Sequence, residues 1–333
     1  MNLLELRGVS VKFRQSGTKT RDFAAVDGVD FTIAEHEMLG LVGESGCGKT
    51  TLGRAILHLV PLAAGEVHWR GQRVDQLGQR AFRPLRRELQ YVFQDPNACL
   101  DPRMTLLESV TEPLRALDRD AAPADRARRA QARLDEVGIG ASLAARYPHQ
   151  LSGGQLQRAV IARALIVDPQ FVVCDEPVSA LDVSVQGQIV GLLERIRDDR
   201  GLASLFISHN LAVVARLCER VMVMFRGRIV ETAGRRALIG SPLHPYTREL
   251  LDAVPGIDAG ARGRVLRRAA HAQPAKDDAS QAVGCPFAVR CPQVLSRCRV
   301  ERPRLQAAAG GSRLVACHRA GEWPGGLPPF TSV

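Results

Sequence analysis

The chain has 333 residues, of which 45% are hydrophobic and 24% charged, a composition that is typical of a globular protein and excludes a disordered one. Its net charge is +10, but the basic residues are mostly scattered arginines, so the charge alone does not indicate a nucleic-acid surface. No apolar run approaches the roughly 20 residues of a membrane helix, and the first residues lack the pattern of a signal peptide. We therefore expect a cytosolic chain whose eight cysteines are thiols or metal ligands rather than disulfides.

The first ninety-odd residues are predicted to form strands with a single helix. A strand over 38–42 ends in a glycine-rich turn, and a helix follows over 50–59. Further strands are predicted at 65–69 and 89–93. A strand, a glycine-rich turn and a helix in this order provide the setting that a phosphate-binding loop requires.

The pattern becomes helical from about residue 105 to residue 165. Apolar residues recur at helical spacing from Ala127 to Val137, and Gly138 provides a stop. Strands and helices then alternate, with strands expected at 171–174, 205–207 and 221–224 and helices at 185–196 and 211–217. Continuous apolar strands that alternate with amphipathic helices predict a parallel sheet that is covered on both faces.

The phosphate-binding loop itself is encoded directly after the strand at 38–42. The residues that match G-x-x-x-x-G-K-[ST] are Gly43, Glu44, Ser45, Gly46, Cys47, Gly48, Lys49 and Thr50, and Thr51 follows them. The glycines let backbone N–H groups point at a phosphate chain, and the helix adds the positive end of its dipole. Lys49 supplies a compact charge to the β- and γ-phosphates, and the Thr50 hydroxyl can ligate Mg²⁺. The loop therefore predicts a nucleotide site.

Two adjacent carboxylates follow the apolar strand at 171–174. Asp175 stands at the tip of this buried strand, where its carboxylate can hold the hydration shell of Mg²⁺. Glu176 comes next and can polarise the attacking water as a general base. This pair predicts that the bound nucleotide is hydrolysed.

The other motifs appear in a fixed order: LSGGQ at 151–155, FVVCDEP at 171–177, SALD at 179–182 and ISHN at 207–210. Together with the phosphate loop, this set resembles the nucleotide-binding subunit of ATP-binding cassette (ABC) transporters over essentially the whole chain. The resemblance implies an α/β fold with a P-loop NTPase (RecA-like) core and a parallel sheet. It also implies a helical subdomain inserted at about 100–165, within a nucleotide-binding domain over 1–245, and a small cysteine-containing C-terminal extension over 246–333.

The resemblance also assigns roles to further residues at the ATP site. Gln94 would be the glutamine-loop residue that reaches Mg²⁺ and the attacking water, and His209 the switch histidine that contacts the γ-phosphate. Phe13 would stack on adenine, and Asp182 belongs to the D-loop. The signature residues act in trans, on the γ-phosphate that a partner subunit binds: Ser152, Gly153, Gly154 and Gln155. Each ATP is therefore expected to be sandwiched in a dimer.

The region after about residue 242 is expected to be a separate small segment. Residues 255–283 are rich in Gly, Ala, Arg and Asp without a clear period, which is typical of a linker. Four cysteines follow with the spacing C-x5-C-x6-C-x18-C, namely Cys285, Cys291, Cys298 and Cys317. In a reducing compartment, four thiolates in a short segment with few apolar residues are reasonable ligands for a metal. None of the spacings, however, is the C-x2-C of a zinc ribbon.

Three motifs narrow the resemblance to one branch of the family: YVFQDP at 91–96, LDPR at 100–103 and PLHPYT at 242–247. They are similar to the dipeptide/oligopeptide and nickel importers of bacteria. In the C-terminal extension of these importers a four-iron four-sulfur cluster can sit, so the resemblance implies such a cluster on the four cysteines. Structural Zn²⁺ and free thiols remain the alternatives.

We therefore expect a subunit that uses ATP and Mg²⁺ to drive a bacterial importer of di-/oligopeptides or related small solutes. It would lie peripherally on the cytoplasmic face of the inner membrane, paired with a second, similar ATPase subunit or with itself. Its other partners would be two membrane permease subunits and, indirectly, an extracytoplasmic substrate-binding protein. The sequence does not identify the solute.

A soluble cassette ATPase that acts on DNA or ribosomes is the main alternative. The interval of about a hundred residues between the phosphate loop and the signature is typical of transporters, whereas DNA-repair relatives insert long coiled coils there. Nucleic acid is therefore not an expected partner. A small-molecule kinase would explain neither the signature nor the histidine.

Overall fold

The computed structural model describes residues 2–15, 21–118, 120–253, 283–308, 311 and 313–322. The strands are β1 (Asn2–Gln15), β2 (Arg21–Ala34), β3 (Met38–Val42), β4 (Ala64–Trp69), β5 (Gln72–Arg73), β6 (Leu89–Val92), β7 (Phe171–Asp175), β8 (Ala203–Ser208), β9 (Arg220–Phe225), β10 (Arg228–Gly234), β11 (Gln306–Ala307) and β12 (Leu314–Val315). The helices are α1 (Lys49–Ile56), α2 (Gln79–Phe82), α3 (Leu85–Glu88), α4 (Leu106–Leu117), α5 (Pro123–Glu136), α6 (Ala141–Ala144), α7 (Gly153–Leu165), α8 (Val183–Arg200), α9 (Leu211–Leu217), α10 (Arg235–Gly240), α11 (Pro245–Asp252) and α12 (Ser296–Val300). This is the predicted α/β fold class.

The larger sheet has eight strands in the order β11-β12-β10-β9-β3-β8-β7-β6. The five strands from β9 to β6 are parallel to one another, and β3, β7 and β8 are buried along their whole length. These strands confirm the predicted parallel sheet, because strands that are covered on both faces are continuously apolar.

The other three strands of this sheet are antiparallel, which the sequence analysis did not predict. The reason is a tight turn between β9 and β10, where Arg226 has φ 45° and Gly227 has φ 79°. A two-residue turn with both φ angles positive joins antiparallel strands, whereas a parallel crossover needs a longer connection. The predicted parallel sheet is therefore extended at this edge by antiparallel strands.

The smaller sheet is antiparallel with the order β2-β1-β4-β5. Its long strands β1 and β2 pair along their length, with Phe13 opposite Phe23. Apolar side chains of this sheet and of α1 share one buried cluster with one face of the larger sheet, including Val9, Leu41 and Leu52. The hairpin of β1 and β2 is thereby fixed beside the phosphate loop.

Helices α4 to α7 lie in the chain between β6 and β7. A capping box begins α4, in which the Thr105 hydroxyl accepts from the Glu108 N–H and the Glu108 carboxylate accepts from the Thr105 N–H. Ala130, Leu134 and Val137 are buried and Ala127 is half-buried, so the stripe predicted from Ala127 to Val137 lies along α5 and its C-cap. Within the described ranges, no helix combines the length and the apolarity that crossing a bilayer requires.

Two short helices contradict the expectation of a single helix in the first ninety-odd residues. They are α2 and α3, each of four residues and separated by Arg83 and Pro84. A helix of about one turn is too short to show a 3.6-residue period, so the pattern could not reveal it.

The C-terminal extension continues the larger sheet, because β12 pairs with β10. Directly on β10, the fully buried carboxylate of Glu231 accepts hydrogen bonds from the backbone N–H groups of Leu243 and His244 at 2.9 and 2.8 Å. The Arg313 guanidinium lies 3.1 Å from the same carboxylate and balances its charge. A buried carboxylate that loses its partners costs considerable free energy, so these contacts attach the described part of the extension to the core. The predicted linker over 255–283 lies, apart from residue 283, outside the described residues.

The junction between core and extension makes stability depend on pH through His244. This ring is buried, its Nδ1 accepts from the Tyr246 N–H, and burial lowers its pKa from 6.5 to about 3. A histidine that is neutral when folded but protonated when unfolded leaves stability intact above pH 6.5 and reduces it as the pH falls towards 3.

We therefore expect His244 to account for about 2 kcal/mol of the free energy of unfolding that is lost between pH 7 and pH 5. His244→Asn keeps an acceptor for the Tyr246 N–H but cannot be protonated, so it should flatten the pH dependence of urea unfolding by that amount. His149→Gln, at an exposed position, is the control. An equal slope for His244→Asn and the wild type would contradict the prediction.

Candidate nucleotide-binding site

The site lies at the edge of the larger sheet where its parallel strands end. The phosphate loop follows β3, Asp175 ends β7, and His209 follows β8. Because β3, β8 and β7 are neighbours and run in the same direction, their carboxyl ends bring these residues together. Gln94 comes just after β6 at the same edge.

The phosphate loop leaves no room for side chains at two of its glycines. Gly48 has φ 109°, and a Cβ there would lie 2.1 Å from the Ala25 carbonyl oxygen. A Cβ at Gly43 would lie 2.2 Å from the Met224 carbonyl oxygen. These positions explain why the motif demands glycine, since the backbone must pass close to neighbouring strands.

Lys49 is buried in the loop with 4% of its side chain exposed. Its Nζ donates to the carbonyl oxygens of Gly43 and Glu44 at 2.8 and 2.9 Å, and it lies 3.8 Å from Glu176 Oε1. The ammonium group is therefore held at the mouth of the loop and next to the catalytic candidate.

Asp175 receives two hydroxyl donors. The Thr50 hydroxyl lies 3.0 Å from Oδ1, and the Tyr91 hydroxyl donates to Oδ2 at 2.8 Å. Burial raises the pKa of Asp175, and the two hydroxyl donors act against this rise because they stabilise the ionised form. Burial, followed by the charge of Asp175, raises the pKa of Tyr91, which keeps its hydroxyl protonated as a donor.

Glu176 is held by polar neighbours with 12% of its side chain exposed. Its Oε2 lies 3.0 Å from His209 Nδ1 and 3.4 Å from the Nε2 of Gln94. Its backbone has φ 44°, a conformation that a non-glycine residue adopts at some energetic cost and that is common in active sites. A carboxylate aimed in this way can orient and deprotonate a water molecule.

The side chains that the sequence assigns to Mg²⁺ offer hard oxygen donors, as this ion prefers. The oxygens of Thr50 and Asp175 are in direct contact, so both can face one ion. Gln94 contacts Glu176 rather than Asp175 in this structure. The residue types therefore fit Mg²⁺.

The signature residues lie apart from this cluster, at the start of α7. Ser152 forms a capping box with Gln155. A Cβ on Gly154 would lie 2.6 Å from Val185, and one on Gly153 would lie 3.4 Å from Leu181, so α7 begins against the segment that contains Asp182. The signature and the D-loop thus occupy neighbouring positions on the surface, while the hydrogen bonds of Ser152 stay within its own helix.

Phe13 lies on β1 and is 45% exposed, and its strand partner Phe23 is 44% exposed. Side chains of opposed residues point to the same face of a sheet, so the two exposed rings lie on one face of the hairpin. An aromatic surface of this kind suits a flat base.

The four C-terminal cysteines are brought together around one small cavity, which Cys285, Cys291, Cys298 and Cys317 all line. Burial raises the pKa of Cys317 to about 11, and the neighbouring thiols add to the rise. In the part of the chain that the structure describes, no group of three or more His, Cys, Asp or Glu residues has an arrangement that would hold a metal ion. All eight cysteines lie in the described residues, and none of them is joined in a disulfide there.

Three residues of the site escaped the sequence analysis: Tyr91, Tyr246 and Arg290. Tyr91 and Tyr246 stand inside motifs that had been noticed, YVFQDP and PLHPYT, but their hydroxyl groups were not assigned a partner. The Tyr246 hydroxyl accepts from the Glu44 N–H at 2.8 Å, and Arg290 pairs with the Glu44 carboxylate. No sequence motif around Arg290 indicated that it would contact the phosphate loop.

We expect Tyr91→Phe to raise the Mg²⁺ concentration that gives half-maximal ATP hydrolysis by about three- to ten-fold, because Asp175 loses a buried donor. The measurement is phosphate release during a Mg²⁺ titration. Tyr147→Phe changes an exposed tyrosine and serves as the matched control. If Tyr91→Phe and Tyr147→Phe give the same Mg²⁺ curve, Tyr91 does not position the carboxylate.

Comparison with known proteins gives two family matches. The model described as "ABC transporter" matches residues 26–179, and the one described as "Oligopeptide/dipeptide transporter, C-terminal region" matches residues 230–298. A protein of Brucella ovis that is named a peptide import ATP-binding protein is 44% identical over 318 residues, which cover 95% of this chain and 98% of that protein. A protein of Brucella melitensis with the same description is 46% identical over 299 residues, 88% of this chain and 76% of that protein.

Among solved structures, a dimeric ATP-binding cassette in a post-hydrolysis state, bound to ADP and Pi, superposes with a TM-score of 0.64. It is 30% identical and covers 70% of this chain and 99% of its own. The fold and the site together define an ATPase of the ATP-binding cassette class. The chain belongs to the ABC transporter family, and its C-terminal region is that of the oligopeptide/dipeptide transporters. Cassettes of this family work as dimers and, in importers, with membrane permease subunits.

Proposed function

We propose that this chain is the ATP-hydrolysing subunit of a bacterial importer for di-/oligopeptides or related small solutes. The observation that carries the proposal is the convergence of Lys49, Asp175, Glu176 and His209 at one edge of the parallel sheet. The match of residues 230–298 and the names of the relatives support the peptide branch. ATP hydrolysis would drive transport through partner permeases.

In this proposal each residue of the site has a distinct task. Lys49 and the loop amides bind the β- and γ-phosphates, and Phe13 stacks on adenine. Thr50, Asp175 and Gln94 hold Mg²⁺, which supplies charge neutralisation at the phosphates. Glu176 accepts the proton of the attacking water.

The histidine has a geometric role in this scheme. His209 lies 3.0 Å from Glu176, so it can keep that carboxylate aimed at the water and can report the presence of the γ-phosphate. Its side chain is 54% exposed, which leaves the ring accessible to a ligand.

The signature residues would complete the site of a partner subunit. Ser152 to Gln155 present the N-terminus of α7 near the D-loop, so both elements can face the γ-phosphate that is bound across the interface. The partner is a similar ATPase subunit or a second copy of this chain. The dimer closes while ATP bridges it and opens after hydrolysis, which can move a membrane partner.

The chain would then be peripheral, bound to two permeases at the cytoplasmic face of the inner membrane and linked through them to an extracytoplasmic binding protein. The test is to co-express it with the permease subunits of a bacterial peptide importer and to purify the membranes. We expect co-purification and ATP hydrolysis that is stimulated by the peptide-loaded binding protein. The proposal would be overturned if the chain were absent from the membrane fraction and instead bound DNA or ribosomes in a salt-dependent way.

For the cysteine cavity we propose a four-iron four-sulfur cluster, with Zn²⁺ as the alternative ligand of the same thiols. The support is the shared cavity of the four cysteines, since soft thiolates are the ligands that both groups use. The thiols would have to turn into a ligating arrangement, which the described side chains do not have. The cluster would cross-link the described part of the extension.

Anaerobic purification followed by iron and sulfide analysis tests this proposal, and about four of each per chain are expected. Cys298→Ser should lose them, whereas Cys99→Ser, outside the cavity, should keep them. Zinc without sulfide would favour the alternative. A colourless, metal-free product that refolds identically would leave the cysteines as free thiols.

A further inference from the structure

The C-terminal extension makes direct contact with the phosphate loop through Glu44, the residue that follows Gly43 in the loop. The Arg290 guanidinium forms a fork on the Glu44 carboxylate, with Nη1 2.9 Å from Oε2 and Nη2 2.7 Å from Oε1. These two residues are 246 positions apart in the chain. The contact therefore joins the two regions that separate family models match.

The guanidinium is held in place from several sides. Its carbon lies 5.7 Å from the centre of the Phe225 ring, 5.6 Å from that of Phe287 and 6.0 Å from that of Tyr246. A second carboxylate, that of Glu249, also pairs with it. Exposed ion pairs usually contribute little to stability, but a bidentate arginine–carboxylate pair whose guanidinium packs on aromatic rings is an exception.

The backbone of Glu44 is held as well. Its N–H donates to the Tyr246 hydroxyl at 2.8 Å, and Tyr246 is fully buried. Both the side chain and the amide of Glu44 are thus fixed by residues from outside the loop, at positions 246 and 290.

The negative charge of Glu44 explains why these contacts matter for nucleotide binding. A carboxylate in a loop that wraps a polyphosphate would repel the ligand, and the repulsion would be felt over several ångströms because the ligand carries several negative charges. A guanidinium fixed on that carboxylate offsets much of its charge and leaves the positive field of Lys49 and of the α1 N-terminus to act on the phosphates.

We propose that Arg290 is a positioning residue for ATP binding, which neutralises and holds Glu44 so that the phosphate chain can bind beside it. The inference rests on the proposed function of the loop as the ATP site. It assigns to the C-terminal extension a part in nucleotide binding by the same chain.

The test measures the affinity of the full-length chain for Mg²⁺·AMP-PNP by calorimetry. We expect Arg290→Met to weaken binding about three- to ten-fold at low salt and less at high salt, because screening reduces the repulsion from the exposed Glu44. The double variant Arg290→Met/Glu44→Gln should return to within about two-fold of the wild type. A merely structural role of Arg290 would not be rescued by removing the charge of Glu44.

Glu249→Gln is the matched control, since it removes the other partner of Arg290 and leaves the fork on Glu44. It should bind within about two-fold of the wild type. Arg290→Gln carries the same expectation as Arg290→Met, so the test stands if one of them fails to fold in a thermal melt. Arg290 variants that bind like the wild type, or a double variant as weak as the single one, would overturn the inference.

Lys49→Ala separates this inference from the proposed function. If Lys49→Ala binds AMP-PNP as tightly as the wild type, the loop is not the nucleotide site and the proposed function fails. If Lys49→Ala loses binding while the Arg290 variants do not, only the role of Arg290 fails.

Discussion

Glu176→Gln is expected to lower steady-state ATP hydrolysis by about 100-fold or more, because an amide cannot take the proton of the attacking water. Binding of ATP should survive, since Lys49 and the loop amides hold the phosphates independently. The variant should therefore accumulate an ATP-bound dimer. Phosphate release gives the rate, and size-exclusion chromatography with and without ATP gives the dimer.

The geometry allows a clear control for this prediction. Glu194→Gln changes a carboxylate of α8 that pairs with Arg216 rather than with a residue of the site, and it should hydrolyse ATP normally. Unchanged hydrolysis in Glu176→Gln would remove Glu176 as the base. A variant that neither hydrolyses nor binds ATP would instead indicate that Glu176 maintains the fold of the site.

Lys49→Ala is expected to weaken ATP binding by about 100-fold, equivalent to about 3 kcal/mol, the size of effect that follows the loss of a buried, hydrogen-bonded charge. The carbonyl groups of Gly43 and Glu44 would also lose their donor. Lys49→Arg should not restore binding, because a planar guanidinium does not reproduce the contacts of a compact, buried ammonium group. Calorimetry with Mg²⁺·AMP-PNP measures the loss.

An exposed lysine gives the comparison. Lys12→Ala on β1 should bind AMP-PNP as the wild type does. Hydrolysis by Lys49→Ala at the normal rate and with a normal KM for ATP would show that the loop does not hold the phosphates.

The grouping of the central candidate residues could be predicted from the sequence because they are local to strand ends. The loop after β3, the carboxylates at the end of β7 and the histidine after β8 are each encoded beside an apolar run, and parallel strands bring such ends together. The short helices α2 and α3 and the antiparallel edge at β10 were missed. A single helical turn or a tight hairpin is too short to produce a repeating hydrophobic pattern in the sequence.

The supporting contacts could not be predicted in the same way. The bond from Tyr91 to Asp175 joins neighbouring strands, and the fork from Arg290 to Glu44 joins opposite ends of the chain. Such pairs depend on the register of strands and on the docking of the extension, which no local pattern records. A motif identifies the residues that do chemistry, whereas their supports are set by tertiary structure.

The attachment of Tyr246 and Arg290 to Glu44 has a consequence for recombining cassettes. A chimera that joins residues 1–245 of this chain to the C-terminal extension of another importer would replace Tyr246 and Arg290. It would keep Glu44, the carboxylate that Arg290 neutralises. Tail and loop therefore form a matched pair, and a transplanted tail without an equivalent arginine would need an uncharged residue in place of Glu44.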